Sequence, residues 1–387
     1  MVRETQLSDS AEREESRLYN LSLVFFGKQF KRSVDLIEAT KPEPELTSEP
    51  AVKKLLKQIG AALLAVLFIW LSFRGANLEQ IWKYAKESDW SYLALMFLSG
   101  LASHILRAVR WVLLLKPLSP KKISLWNAFS AIMYGYVANL IVPRGGELVR
   151  LVSFTAVEKL PMAGVLSTLL IDRLLDVALL MLLLGSTLTI LPASITSSMP
   201  WLLPGGASLS ILTLIALVAL PFLGRIAAYI VTLKPVASLI PPALSERLQE
   251  LISQFNEGTK SLSNPVVYPA IAGLSLSIWF LYWLNFYLVL KAFHLDQVVT
   301  LLNSFIVFAV GSVGVLIPTP GSIGSFHFLV SQALMLTSNV SKDMALSFVS
   351  TLHALSFALV PCPVALFCLL INWTLKKSQS AASEIRN

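Results

Sequence analysis

A chain of 387 residues with 55% of its positions in the apolar set AVILMFWYC, 14% charged and a mean hydropathy of +0.68 does not have the composition of a soluble globular protein. Its net charge of +8 and pI near 9.4 come from basic residues that flank apolar stretches, so a positive-inside bias and contact with anionic lipid explain them better than nucleic acid does. The two cysteines, Cys362 and Cys368, are six apart in one apolar stretch and imply neither a disulfide framework nor a zinc site.

Residues 1–54 are polar, mixed in charge and broken by Pro42, Pro44 and Pro50, and no secretory signal is expected in them. A cytoplasmic extension is expected there, with the apolar patch 18–30 suited to a surface helix. A membrane-embedded domain is expected over 55–375 and a cytoplasmic tail over 376–387. Crossing about 30 Å of hydrocarbon takes roughly 20 apolar residues. On that measure the full crossings are 55–74, 92–115, 162–191, 207–224, 266–290 and 343–373.

Two apolar segments remain, 124–160 and 298–341, and charge decides their course. Lys53, Lys54 and Lys57, then Arg107, Arg110, Lys116, Lys121 and Lys122, mark the cytoplasmic side. Residues 192–206 have no Lys or Arg and belong outside. The segment 225–264, with Arg225, Lys234, Arg247 and Lys260, belongs inside, as does the tail with Lys376, Lys377 and Arg386. These signs agree only if 124–160 dips in from the cytoplasm and returns, and 298–341 does the same from outside. The fold class expected is therefore an all-α polytopic membrane protein with six transmembrane helices and two oppositely oriented re-entrant segments, inverted-repeat-like. Each re-entrant segment has a break, at Pro143-Arg144-Gly145-Gly146 and at Pro318-Thr319-Pro320-Gly321-Ser322-Ile323-Gly324. Broken segments in opposed halves point to a site near the midplane, with Arg144 and Glu147 on one side and Gly321, Ser322 and His327 on the other.

Ionisable residues within the spans form three groups. His104, Arg107 and Trp111 share a helix face, with Arg110 beside them. Asn139, Arg144, Glu147 and Arg150 surround the first break, where a helix N-terminus beside Arg144 suits a phosphate. Glu147 is placed to pair with Arg150 at i,i+3 or to meet a cationic part of a substrate. Asp172 and Asp176 lie one turn apart on an otherwise apolar helix, with Arg173 about 100° away, and are natural partners for the arginines. Each group also has a structural reading, as an interfacial anchor, a loop-fixing ion cluster or a paired buried charge. Trp279, Tyr282 and Trp283 are expected to pack or anchor, and His294 and His353 to stand without ligand partners.

Taken together, these residues resemble the transmembrane, flippase-type region of the lysylphosphatidylglycerol synthase family, from about residue 55 to 373. The resemblance rests on Leu106-Arg107-Ala108-Val109-Arg110-Trp111, on Asn139 with Pro143-Arg144-Gly145-Gly146-Glu147 and Arg150, on Asp172-Arg173 with Asp176, and on the second proline-glycine motif. It implies a bacterial inner-membrane protein that moves a lipid with a charged headgroup between leaflets. The soluble aminoacyl-transfer domain of the bifunctional members is not expected here. Where many relatives carry Glu after the second glycine motif, this chain has His327, neutral or switchable in place of an anion. The leading expectation is a translocator, not an enzyme, of a polar-headgroup lipid or lipid-linked precursor. The alternative is an enzyme or enzyme partner in glycolipid or envelope synthesis using Asp172, Asp176 and Glu147. The partner expected is a membrane lipid, with no nucleic acid, cofactor or metal, and a homo-oligomer is compatible with the reading.

Overall fold

The computed structural model describes residues 51–142, 145–190, 202–219 and 266–384, with isolated positions between 222 and 264. The helices that build the site all belong to the unit Lys57–Asn387. The extension expected over 1–54 is almost wholly outside the described residues, as are Pro143, Arg144 and most of the loops 192–206 and 225–264.

Every described element is helical, and the protein is an all-α polytopic membrane protein. In chain order the helices are α1 Ala51–Phe73, α2 Leu78–Glu87, α3 Trp90–Leu115, α4 Leu125–Ile141, α5 Gly146–Glu158 and α6 Met162–Thr189. There follow α7 Leu202–Ala219, α8 Val267–Ala292, α9 Leu301–Leu316, α10 Ser325–Ser338, α11 Lys342–His353 and α12 Pro361–Glu384.

Side-chain caps set where the helices begin. Asn77 accepts from the Gln80 N–H to start α2, Asp89 from Ser91 to start α3, and Ser124 from Asn127 to start α4. The short α2 was not anticipated in the sequence, where its 10 residues are too polar for a span. It is tied to α11 by the Asn77 N–H donating to Asp343 and by the Ser347 hydroxyl donating to the Ile81 carbonyl.

α3 and α8, each 26 residues and so about 39 Å long, form an antiparallel pair that gives the membrane direction. The Asp89 N–H donates to the Ala292 carbonyl, which joins the start of α3 to the end of α8. The two expected re-entrant segments fold as hairpins on opposite ends of this pair. Glu158, the last residue of α5, accepts from the Ser124 N–H and the Asn127 amide at the start of α4, which closes the first hairpin at its base. Asn303 at the start of α9 donates to the Thr337 carbonyl and Ser338 hydroxyl at the end of α10, which closes the second. The first base follows the C-terminal end of α3 and the second follows the C-terminal end of α8, so the hairpins open toward opposite faces. Their helices, 17, 13, 16 and 14 residues, are about 20 to 26 Å long and fall short of a full crossing.

Glycines let the backbones of each hairpin approach. A Cβ at Gly146 would collide with the Gly135 carbonyl and the Asn139 amide, and one at Gly314 would press on the Phe326 backbone. The last crossing, expected as one helix over 343–373, is instead α11, a π-helical stretch Ala354–Leu359 and α12. Pro361 and Pro363 have no N–H to donate, and the Val360 N–H reaches back five residues to the Leu355 carbonyl.

Candidate functional site

α3, α5 and α6 bring seven charged side chains into one network. Asp172 is fully buried. One of its oxygens lies 2.7 Å from Arg110 Nη2 and accepts from Arg110 Nε at 3.0 Å, while the other accepts from Arg150 Nη1 at 3.0 Å. One turn along α6, Asp176 accepts from Arg107 at 2.9 Å and from Arg110 at 2.8 Å. The helical spacing of 172 and 176, matched to 107 and 110 on α3, makes this two-by-two pairing geometrically direct. Arg110 also donates to the Ser275 hydroxyl, and Arg107 to the Tyr282 hydroxyl through both Nε and Nη2. Arg150 lies with its guanidinium 3.8 Å from the centre of the Trp111 ring.

Burial separates the network into a lock and an open edge. Arg107, Arg110, Arg150 and Asp172 are all buried, whereas Arg173 and Glu147 have side chains 42% and 41% exposed. Arg173 Nε lies 2.7 Å from Glu147 Oε1 as an ion pair without hydrogen-bond alignment. Glu147 therefore pairs with Arg173 and not with Arg150, which Asp172 has taken. Four guanidiniums stand against three carboxylates, an excess of one positive charge among the described residues.

The N-terminus of α5, expected as a free anion cradle, is partly occupied from within: the Gly146 N–H donates to Asn139 at 2.8 Å. The second break is neutral. Gly321, Ser322 and Gly324 take positive φ, and the Ser325 hydroxyl donates to the Gly314 carbonyl and lies 3.1 Å from the Thr319 hydroxyl. His353 Nε2 is 2.8 Å from the Gly321 carbonyl.

A cavity of about 660 Å³ lies between the two hairpin tips and the face of α3, α6 and α8. Of the expected site residues, Arg107, Asn139, Glu147, Arg173, Asp176, Gly321 and Ser322 line it. Arg110, Arg150 and Asp172 stand behind that wall in the buried lock. His327 is not on the cavity wall; its ring packs against His353 and Phe73, with the two imidazole centres 4.7 Å apart. Arg144 lies outside the described residues. The charged end of the cavity gives way to Met96, Leu180, Phe286 and Phe308, so its lining is amphipathic.

Two expectations from sequence are corrected. Tyr282, taken for packing, is a hydrogen-bond partner of Arg107, and His353, taken as isolated, is half of a histidine pair. Ser275, Trp279, Tyr282 and Asn285 recur on α8 at spacings of four, three and three, a polar stripe on an otherwise apolar helix that was the available signal. Trp283 does pack as expected, stacked on Phe305.

The family described as Lysylphosphatidylglycerol synthase TM region matches residues 58–363. Neither a curated protein nor a solved structure gives a match.

Proposed function

This chain belongs to the lysylphosphatidylglycerol synthase TM region family, and on that premise we propose that it translocates a lipid with a polar headgroup between the leaflets of a bacterial inner membrane. The observation that carries the reading is the amphipathic cavity between two oppositely opening hairpins, charged at one end and apolar at the other. A headgroup entering it exchanges hydration for Arg107, Arg173 and Glu147 while its acyl chains remain among apolar side chains and bilayer. Arg173 and Glu147 are the adaptable members, because their exposure leaves them free to trade each other for headgroup charges. Asp172 and Asp176 are held by arginines, which suits a fixed electrostatic wall more than proton transfer and favours transport over chemistry.

The test is a leaflet-asymmetry assay with fluorescent phospholipids in reconstituted vesicles. Movement of unmodified lipid by the wild type, lost in Arg173→Gln, is expected. A chemically altered lipid would favour the enzyme reading, and no protein-dependent movement across anionic, zwitterionic and glycosylated lipids would overturn the translocator.

A further inference from the structure

The cavity wall has a second polar region that the ionic network does not use. His104 on α3 and Asn285 on α8 are 5% and 7% exposed, and Trp279 is half-buried between α8 and α9. Each carries a buried polar atom with no hydrogen-bond partner among the described residues: His104 Nδ1, Asn285 Oδ1 and Trp279 Nε1. All three residues are on the wall of the cavity that Arg107 and Arg173 also line. An unpartnered buried polar atom is destabilising, and native proteins rarely keep several on one wall without a use for them.

Their chemistry narrows that use. The indole N–H only donates, the amide oxygen only accepts, and the imidazole nitrogen takes either role according to its tautomer. Hydroxyl groups, which both donate and accept, serve all three. A quaternary ammonium offers neither, and a primary ammonium satisfies Asn285 but leaves the indole without an acceptor. His104 sits one turn from Arg107 on the same face of α3, so the hydroxyl-suited region begins roughly 5 Å along the helix from the cationic one. The excess positive charge of the network calls for an anion at that end.

We propose that the cavity recognises a lipid whose headgroup is a phosphate ester bearing several hydroxyls, a sugar or polyol phosphate. The phosphate sits against Arg107 and Arg173, and the hydroxyls against His104, Asn285 and Trp279. The proposal rests on the translocator reading for why a lipid enters the cavity, but it is read out by binding and not by movement.

The experiment uses the full chain in phosphatidylcholine nanodiscs and measures retention of phosphatidylinositol and phosphatidic acid by native mass spectrometry. Phosphatidylinositol is expected to bind about tenfold or more tightly than phosphatidic acid. Asn285→Leu and His104→Phe should each weaken phosphatidylinositol about five- to tenfold, the scale of one hydrogen bond, and leave phosphatidic acid unchanged. Neither should lower the melting temperature, since His104 Nδ1 and Asn285 Oδ1 have no hydrogen-bond partner among the described residues and a Phe at 104 keeps the ring contact with Tyr136. Equal binding of the two lipids, or equal weakening of both by these variants, overturns the proposal, as does a loss of melting temperature that accounts for the weakening. Competition by soluble inositol 1-phosphate at the lipid's own concentration would assign the site to a free phosphate ester and overturn the lipid claim. Unselective binding with leaflet movement intact sinks this inference alone, while selective binding without movement sinks the translocator alone.

Discussion

The two hairpins solve the same problem with different chemistry. Each is a helix pair that starts and ends on one face, and each has a break whose freed backbone groups need partners where water is scarce. At the first, α4–α5, a side-chain amide caps the new helix at Gly146, and Glu147 and Arg150 then carry charge into the network with α3 and α6. At the second, α9–α10, the Ser325 hydroxyl, itself bonded to that of Thr319, meets the Gly314 carbonyl and the His353 imidazole meets the Gly321 carbonyl, and among the described residues no charged side chain of this hairpin joins the network. The difference shows that opposed hairpins need not share function: one supplies a charged wall and the other a neutral backbone wall to the same cavity.

The strongest way to break this contrast is at its buried centre. Asp172→Asn leaves Arg150 without its carboxylate and Arg110 with Asp176 alone, and should destabilise the protein by about 3 to 5 kcal/mol, measured as the shift of an unfolding transition in mixed micelles. A change below about 1 kcal/mol would mean that the arginines find other partners and that no lock exists.

Capping comes next in size. Ser325→Ala removes hydroxyl contacts to the Gly314 carbonyl and Thr319, and Asn139→Leu removes the acceptor of the Gly146 N–H. Each should destabilise by about 1 to 3 kcal/mol, and only Asn139→Leu should also reduce translocation per folded molecule, since it alone borders the charged residues. Equal effects on transport would erase the distinction between the two walls.

The smallest stability effect belongs to the residue with the largest expected functional one. Arg173→Gln should change stability by less than about 1 kcal/mol, because its pair with Glu147 is half exposed. Lipid movement should nevertheless fall sharply. A variant that instead unfolds would place Arg173 in the structural lock.

The opposed hairpins were legible because charge bias works on whole loops, and one wrong crossing would have put the uncharged loop and the basic tail on the wrong faces. That Asp172 and Asp176 share one helix face and meet arginines was legible from helical spacing, while their match to Arg107 and Arg110 came from the packing of α3 on α6. Partner choice was less legible. Glu147 is three residues from Arg150, yet it faces Arg173 from another helix, because Asp172 lies behind α5 and takes Arg150 first. Tyr282 looked like an ordinary member of an apolar span, since a single hydroxyl barely alters hydropathy and only the packing of α8 on α3 shows which face it meets. The π-helical turn before Pro361 depends on which carbonyl finds an N–H, which proline placement alone leaves open.

The two hairpins enter from opposite faces and meet at one cavity. A Cβ at Gly321 would lie 3.3 Å from the Leu140 side chain, so the tips are in contact, whereas Ser124 marks the distant base of the first hairpin. Gly146 is unsuitable for a probe, since any side chain there collides with Gly135. In a background lacking Cys362 and Cys368, cysteines replacing Leu140 and Ser322 should be bridged by a short bifunctional thiol reagent. A pair replacing Ser124 and Ser322 should remain unbridged. Bridging of the second pair with failure of the first would contradict the shared cavity.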